Sequence, residues 1–271
     1  ILVLDVLPPA QPGSRGGDES RRKQLEQIGQ HLQSEGWIDE VLKLRDDDPR
    51  LAAWRHKHFT GGVNALRDER GIPLFGWISG IEVSTNDRYH VHFDSDIFLF
   101  QKADFDWVQE GLHVMKSDPS ALFMAPRPGP PTPEGGLRGQ RDEYVHDSET
   151  GVFQFKTFSS RRFLVDKERF RELLPLEPIY ISRRDRLARF FTGESTIQPW
   201  EAIVSHALKQ SNFYRGHLSA GDAWVLHAPD HGPSFISHLS ELVETIEKGT
   251  YPEEQAGYYD LRLNDWIKND N

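Results

Sequence analysis

The chain has 271 residues, enough to bury a full core, with no cysteine and a formal net charge of -10. Without cysteine there is no disulfide framework, thiol nucleophile or thiolate metal site, so any metal must be held by oxygen or imidazole. The acidic balance argues against a nucleic-acid footprint, which rests on clustered Lys and Arg, and no run approaches the roughly 20 apolar residues that span a bilayer. The first residue is Ile1 rather than Met, and a cytoplasmic location is the default expectation.

Ile1 to Leu7 reads as a buried strand, followed by a Pro/Gly/Ser-rich loop from Pro8 to Asp18. Leu25, Ile28 and Leu32 then fall at helical spacing and predict an amphipathic helix over Ser20 to Glu35. Gly36 ends it, and a second short apolar run, Ile38 to Leu44, leads into the acidic turn Arg45-Asp46-Asp47-Asp48-Pro49. Two helices are expected between Phe59 and Ser84 around the break Gly71-Ile72-Pro73, with a turn at Asn86-Asp87. Tyr89 to Phe93 is the next strand. It runs directly into Asp94-Ser95-Asp96 and a further apolar run, Ile97 to Phe100.

Asp104 to Lys116 predicts a helix with Asp104 as its N-cap, and Ala121 to Ala125 a strand. Pro126 to Arg141 is too rich in Pro and Gly for regular structure and reads as a mobile loop able to act as a lid. Val152 to Phe158 alternates as an edge or hairpin strand, and Asp166 to Leu174 reads as a short helix. Pro199 to Ser211 is a helix with Pro199 at its first position. A strand over Ala223 to Leu226 ends at His227, Ser234 to Lys248 is an amphipathic helix, and a polar tail carries Tyr258, Tyr259 and Trp266.

In extended backbone, side chains two apart share a side, so Asp94 and Asp96 can present both carboxylates at one strand end. That end is where ligands bind in an open α/β sheet. Hard oxygen ligands suit Mg2+ or Mn2+, which can bridge a diphosphate; the plainer reading of the same residues is a solvated turn. His90, His92, Asp94 and Asp96 also share a face, the pattern of a metal-dependent hydrolase. Gly13-Ser14-Arg15-Gly16-Gly17 lies where the triphosphate loop of a sugar nucleotidyltransferase would be but matches it poorly. A binding protein on a degenerate transferase fold is the non-enzymatic alternative.

The order strand, helix, strand with an acidic turn, then Tyr89-His90-Val91-His92-Phe93-Asp94-Ser95-Asp96, resembles a GT-A glycosyltransferase of the family 2 type over Ile1 to about Pro229. The resemblance implies an α/β, Rossmann-like fold with a mixed but mostly parallel sheet flanked by helices. Residues 1–233 would form the catalytic domain, about 1–100 its donor half and about 101–233 its acceptor half with the mobile loop 126–141. Residues 234–271 would add a C-terminal helix and tail. It further implies metal-dependent, hexosyltransferase-type transfer from a UDP- or GDP-sugar to the hydroxyl of a saccharide, lipid-linked or small-molecule acceptor.

By the same resemblance Asp96 ligates Mn2+ or Mg2+, and Asp94 contacts the ribose or the metal shell. One of Asp46, Asp47 and Asp48 would bind the nucleobase, flanked by Leu7 and Pro8, and Arg67 would pair with donor phosphate. Trp224-Val225-Leu226-His227 looks like the strand end that supplies a further metal ligand, with His231 as competitor. Pro199-Trp200-Glu201 resembles the helix start carrying the general base of inverting members, although Ala202 follows where a Glu-Asp pair is usual. Glu194 is the alternative base, and a retaining mechanism follows if neither serves.

Weaker signals each have a plainer counterpart. Gly61-Gly62 could admit a diphosphate or simply turn the chain; Ser159-Ser160-Arg161-Arg162 could bind phosphate or be a solvated turn. Trp200 could stack on a sugar or belong to the core. Glu201 could equally complement the helix dipole, Arg67 could lie on a helix surface, and His227 could be a surface or core histidine.

Overall fold

The structure, a computed structural model, describes residues 1–7, 19–84, 87–183 and 196–267. The loop Pro8 to Asp18 with its Gly13–Gly17 motif, Asn86 and Glu194 lie outside the described residues. The chain divides into two compact units, Ile1–His90 with Lys167–Ser211 and Val91–Asp166 with Asn212–Asn271.

In the first unit, β1 (Leu2–Asp5) and β2 (Val41–Leu44) pair in parallel, Leu2 opposite Val41 and Asp5 opposite Leu44. Parallel neighbours need a crossover, and α1 (Glu19–Ser34) supplies it. The helix meets the strands through Gly29: a Cβ there would lie 2.9 Å from Leu4 Cδ1. The expected apolar face is turned outward instead, with Leu25 41% and Ile28 54% exposed. Periodicity marked a stripe, but the side that approaches the sheet is the one carrying Gly29 and Glu26, the latter accepting from Lys43 of β2 at 2.6 Å.

α2 (Arg50–His58), which no pattern announced, starts where Asp48 Oδ1 accepts the Arg50 N–H at 2.9 Å. α3 (Phe75–Val83) buries Phe75, Ile78 and Ile81 and packs on both strands. It is the one helix where two were expected, because Asp68 holds the preceding segment as a turn by accepting the N–H groups of Arg70 and Ile72. Lys57 and His58 of α2 converge on Glu82 of α3 at 2.6 and 2.7 Å. Burial alone would raise the Glu82 pKa, but these two bonds outweigh it and bring it down to about 2.

Arg67 closes the end of β1. Its guanidinium donates to both carboxylate oxygens of Asp5 at 2.9 Å and to the carbonyls of Gly71 and Leu7 at 2.8 and 2.9 Å. The expectation that Arg67 pairs with donor phosphate is therefore corrected: four of its N–H bonds are committed inside the fold, and it acts as a tie. α5 (Lys167–Glu172) and the helix Trp200–Gln210 complete the unit. Trp200 is fully buried, stacked on Trp77 at 5.6 Å and edge-on to Phe170 at 6.2 Å, so it belongs to the core.

The second unit receives the chain from β3 (Tyr89–Phe93) and contains β4 (Ile97–Gln101), α4 (Trp107–Ser117), β5 (Ala121–Ala125) and β6 (Arg127–Pro128). It continues through β7 (Tyr144–Asp147), β8 (Val152–Phe155), β9 (Arg162–Asp166), β10 (Tyr214–Leu218) and β11 (Ala223–His227). One sheet has the order β3-β9-β5-β10-β8-β7, and another sets β11 between β4 and β6. β10 is parallel to β5 and β11 to β6, whereas β5–β9, β10–β8, β7–β8 and β11–β4 are antiparallel.

The fold class is thus α/β with sheets of mixed strand direction flanked by helices, and the mostly parallel sheet expected from the sequence is not formed. A cause is local: the Asp147 carboxylate accepts the N–H groups of Glu149 and Thr150, closing a turn too short for anything but an antiparallel return. α4 is capped by Asp106, whose Oδ1 accepts the Val108 and Gln109 N–H groups at 2.9 and 3.1 Å, and not by Asp104.

Residues 126–141 differ from the loop expected there. Arg127 is 1% exposed and donates to the carbonyls of Ser219, Gly135 and Gly136. Gly129 has φ +84° and passes so close to Tyr258 that a Cβ would lie 2.3 Å from its carbonyl oxygen. The Arg138 N–H donates to Gly257 at 2.8 Å. Proline-rich composition forbids long regular structure, but not a buried path held by an arginine. The helix Pro233–Glu247 packs Phe235, Leu242 and Ile246 against Trp224 and Leu226 of β11. Among the described residues no helix is long and apolar enough to cross a membrane.

Two outcomes follow from the ties in the first unit. Arg67→Met should lower stability in urea by about 3 kcal/mol, since it leaves the Asp5 charge without its partner; a loss below about 1 kcal/mol would contradict the tie. Glu82 titrates lower folded than unfolded, so its contribution is full above pH 4.5 and disappears as pH falls toward 2. Glu82→Gln should therefore cost about 2 kcal/mol at pH 7, with its urea midpoint converging on wild type as the pH is lowered to 3.

Candidate functional site

The turn between β3 and β4 is fixed at both ends by backbone. The Asp94 N–H donates to the Arg161 carbonyl, just before β9, at 2.7 Å, and the Asp96 carbonyl accepts the Ala228 N–H, just beyond β11, at 3.0 Å. β4 and β11 are antiparallel with Ile97 opposite His227, which brings Asp96 to the same strand end as His227. The C-terminal segment runs alongside: the His227 N–H donates to Tyr259 at 3.0 Å and the Leu261 N–H to the His227 carbonyl at 2.7 Å.

The side chains converge accordingly. Asp96 Oδ2 lies 3.5 Å from His227 Nε2, 3.7 Å from Arg161 Nη1 and 3.9 Å from His231 Nε2. Asp96 Oδ1 is buried and has no hydrogen-bond partner. His227 is stacked on Tyr259 and bonded through Nδ1 to Asp260 Oδ1 at 2.7 Å. Arg161 Nη1 contacts His227 Nε2. A guanidinium can only donate, so Nε2 of the neutral ring is the acceptor and Nδ1 carries the proton shared with Asp260.

Burial disfavours charge on both Asp96 and His227, but their partners outweigh it. The His227 pKa is raised first by the hydrogen bond to Asp260 and then by Asp96, toward which Nε2–H of the charged ring donates; the same contact lowers the Asp96 pKa, and the Arg161 charge opposes the rise at His227 while helping to lower Asp96. The His227 hydrogen bond in turn lowers the Asp260 pKa.

Asp94 does not join Asp96. Its Oδ1 is bonded to His92 Nε2 at 2.8 Å, and His92 stacks on Phe163 at 5.1 Å. His90 is turned to Ser84 Oγ at 3.2 Å, so the four residues of the hydrolase pattern do not gather around one point. Among the described residues no three His, Asp or Glu side chains form a group able to hold a metal ion unaided.

Asp46, Asp47, Asp48 and Glu201 belong to the first unit. Asp47 is bonded to Arg45 and Asp48 to Arg50. Asp46 lines a cavity of about 250 Å³ with Val6, Arg22 and Arg45, at the C-terminal ends of β1 and β2. Glu201 stands in the first turn of its helix with Oε2 3.8 Å from Arg70. Asp260 was marked by no motif; it lies in the polar tail beside Tyr258 and Tyr259.

The donor chemistry around Asp96 fits a divalent ion. Asp96 Oδ1 is a buried oxygen lacking a partner, and Nε2 of His227 offers a lone pair because Asp260 takes the proton on the other nitrogen. A carboxylate behind a histidine is the outer partner that orients metal-bound imidazole. Two protein ligands suit Mg2+ or Mn2+, which complete their shells with phosphate oxygens and water. Comparison with models of known protein families finds no match to this chain, and comparison with curated proteins finds none.

The tautomer can be checked directly. At pH 9, long-range 15N–1H correlation should show His227 protonated on Nδ1, and Asp260→Ala should move the proton toward Nε2; an unchanged tautomer would contradict the Asp260 contact.

Proposed function

We propose that the chain is a GT-A glycosyltransferase of the family 2 type, moving a sugar from a nucleotide-diphosphate sugar to an acceptor hydroxyl. The observation that carries this reading is the Asp260–His227–Asp96 line, ending in a buried carboxylate oxygen without a partner at the end of the turn after β3. The cavity beside Asp46 supports it separately. It lies where a parallel β-α-β unit binds nucleotides, beyond the carboxyl ends of its strands, and Asp46 is the member of the acidic turn that lines it.

In this reading Asp96 and His227 hold Mn2+ or Mg2+, with His231 at the rim. The ion, when bound, offsets negative charge developing on the departing diphosphate. Asp260 keeps the His227 lone pair directed at the site, and Asp94, bonded to His92, fixes the turn. Asp46 accepts a hydrogen bond from the nucleobase. Glu201 takes the proton from the acceptor hydroxyl, with the partial positive charge of its helix N-terminus favouring the ionised carboxylate.

Melting temperatures with UDP and GDP, each with and without Mn2+, test the donor class. A nucleotide at about 100 times its Kd should stabilise by roughly 2.7 kcal/mol, only when Mn2+ is present and not in Asp96→Ala. No shift with either nucleotide would overturn the reading. Glu201→Gln should keep that shift while losing about 100-fold or more in kcat.

A further inference from the structure

The point between Asp96 and His227 already holds a cation. Arg161 Nη1 contacts His227 Nε2 and lies 3.7 Å from Asp96 Oδ2. Its backbone cannot retreat, because its carbonyl accepts the Asp94 N–H at the foot of the same turn. Its side chain can, being 38% exposed against 7% for His227 and 24% for Asp96. The next residue behaves oppositely: Arg162 is buried at 2% exposure with its guanidinium 4.0 Å over the Tyr259 ring.

His227 Nε2 has one lone pair. A guanidinium N–H and a divalent ion cannot both use it, and two cations at that distance repel. An ion therefore binds only as Arg161 turns out, and the displaced guanidinium, permanently charged, then needs an anion. The chemistry that satisfies it within reach of the same site is a phosphate oxygen, which a planar guanidinium binds with paired donors.

We infer that Arg161 occupies the ion's position in the ion-free protein, sets the affinity of that position, and on displacement becomes a ligand of the donor's diphosphate. The inference rests on the reading of Asp96 and His227 as ion ligands. It makes ion and nucleotide binding mutually dependent through one side chain, each favouring the conformer that the other needs.

The test compares wild type with Arg161→Ala, and with Arg161→Gln to retain bulk without charge, using free Mn2+ measured by electron paramagnetic resonance and calorimetry of UDP and GDP at saturating Mn2+. Both variants should bind Mn2+ alone roughly tenfold more tightly, having lost a charge-assisted hydrogen bond that the ion must break. They should bind the nucleotide roughly tenfold more weakly, having lost a charged phosphate contact. A side chain that merely supported the fold would weaken both. Unchanged or weaker Mn2+ binding by the variants, with wild type still binding the ion, would overturn the inference while leaving the ion site standing. Tighter Mn2+ binding with unchanged nucleotide affinity would overturn the diphosphate role. Absence of Mn2+ binding in all three proteins would overturn the ion-site reading itself.

Discussion

Two backbone hydrogen bonds, from Asp94 N–H to Arg161 and from Ala228 N–H to Asp96, determine where the polar chemistry of the second unit is placed. The first carries the pairing of β3 and β9 one residue beyond the strands. The second joins the turn to the end of β11. Only Ser95 lies between the two anchored residues, so the turn has little freedom to drift. Because β9 and β11 are buried along their whole lengths, they belong to the part of the fold that opens last. The strands that clamp the turn also deliver Arg161 and His227, so site geometry and sheet stability are not separable here.

Charge within this unit is arranged against the net charge of the whole protein. The chain is acidic overall, yet Arg161, Arg162 and His227 gather near Asp96, and among the described residues the carboxylates in contact with His227 and Arg161 are those of Asp96 and Asp260. Tyr259 mediates between them, with the Arg162 guanidinium over its ring and the His227 imidazole stacked on it. Burial lowers the pKa of Arg162, which records the cost of keeping a cation there. A locally positive field in an acidic protein concentrates anionic ligands at one place, and a π face is a way to hold such a cation without neutralising it with a carboxylate.

The sequence was most readable where one element supplied both pattern and contact. β1, β4, β5 and β11 are mainly apolar runs and appeared close to where they form, as did β3, whose His90 and His92 alternate with Tyr89, Val91 and Phe93. β9 and β10 did not, because Arg162-Phe163-Leu164-Val165-Asp166 and Tyr214-Arg215-Gly216-His217-Leu218 carry polar residues that only tertiary neighbours can bury. α1 shows the same limit: Leu25 and Ile28 gave the right helix and the wrong face, since a contact made through Gly29 leaves no hydrophobic mark. Within the site, the acidic turn and His227 were legible because strand ends carry them. Asp260 reaches His227 across 33 positions of sequence, and Arg67 looked like a surface arginine until its partners at Asp5 and Leu7 were seen.

The acidic turn itself shows why a motif of two aspartates presents one carboxylate to the cluster. Side chains two apart share a side only while the backbone stays extended. That holds from His92 to Asp94, whose side chains meet at 2.8 Å. It fails from Asp94 to Asp96, because β3 ends at Phe93 and the chain turns before β4 begins at Ile97. Asp94 therefore spends its carboxylate on His92, which is stacked on Phe163 of β9, and binds the turn to the same strand that its backbone N–H already engages. Asp96, past the turn, faces His227 with one oxygen and leaves the other without a partner. The first acid secures the turn, and the second carries the carboxylate oxygen that the fold leaves without a partner.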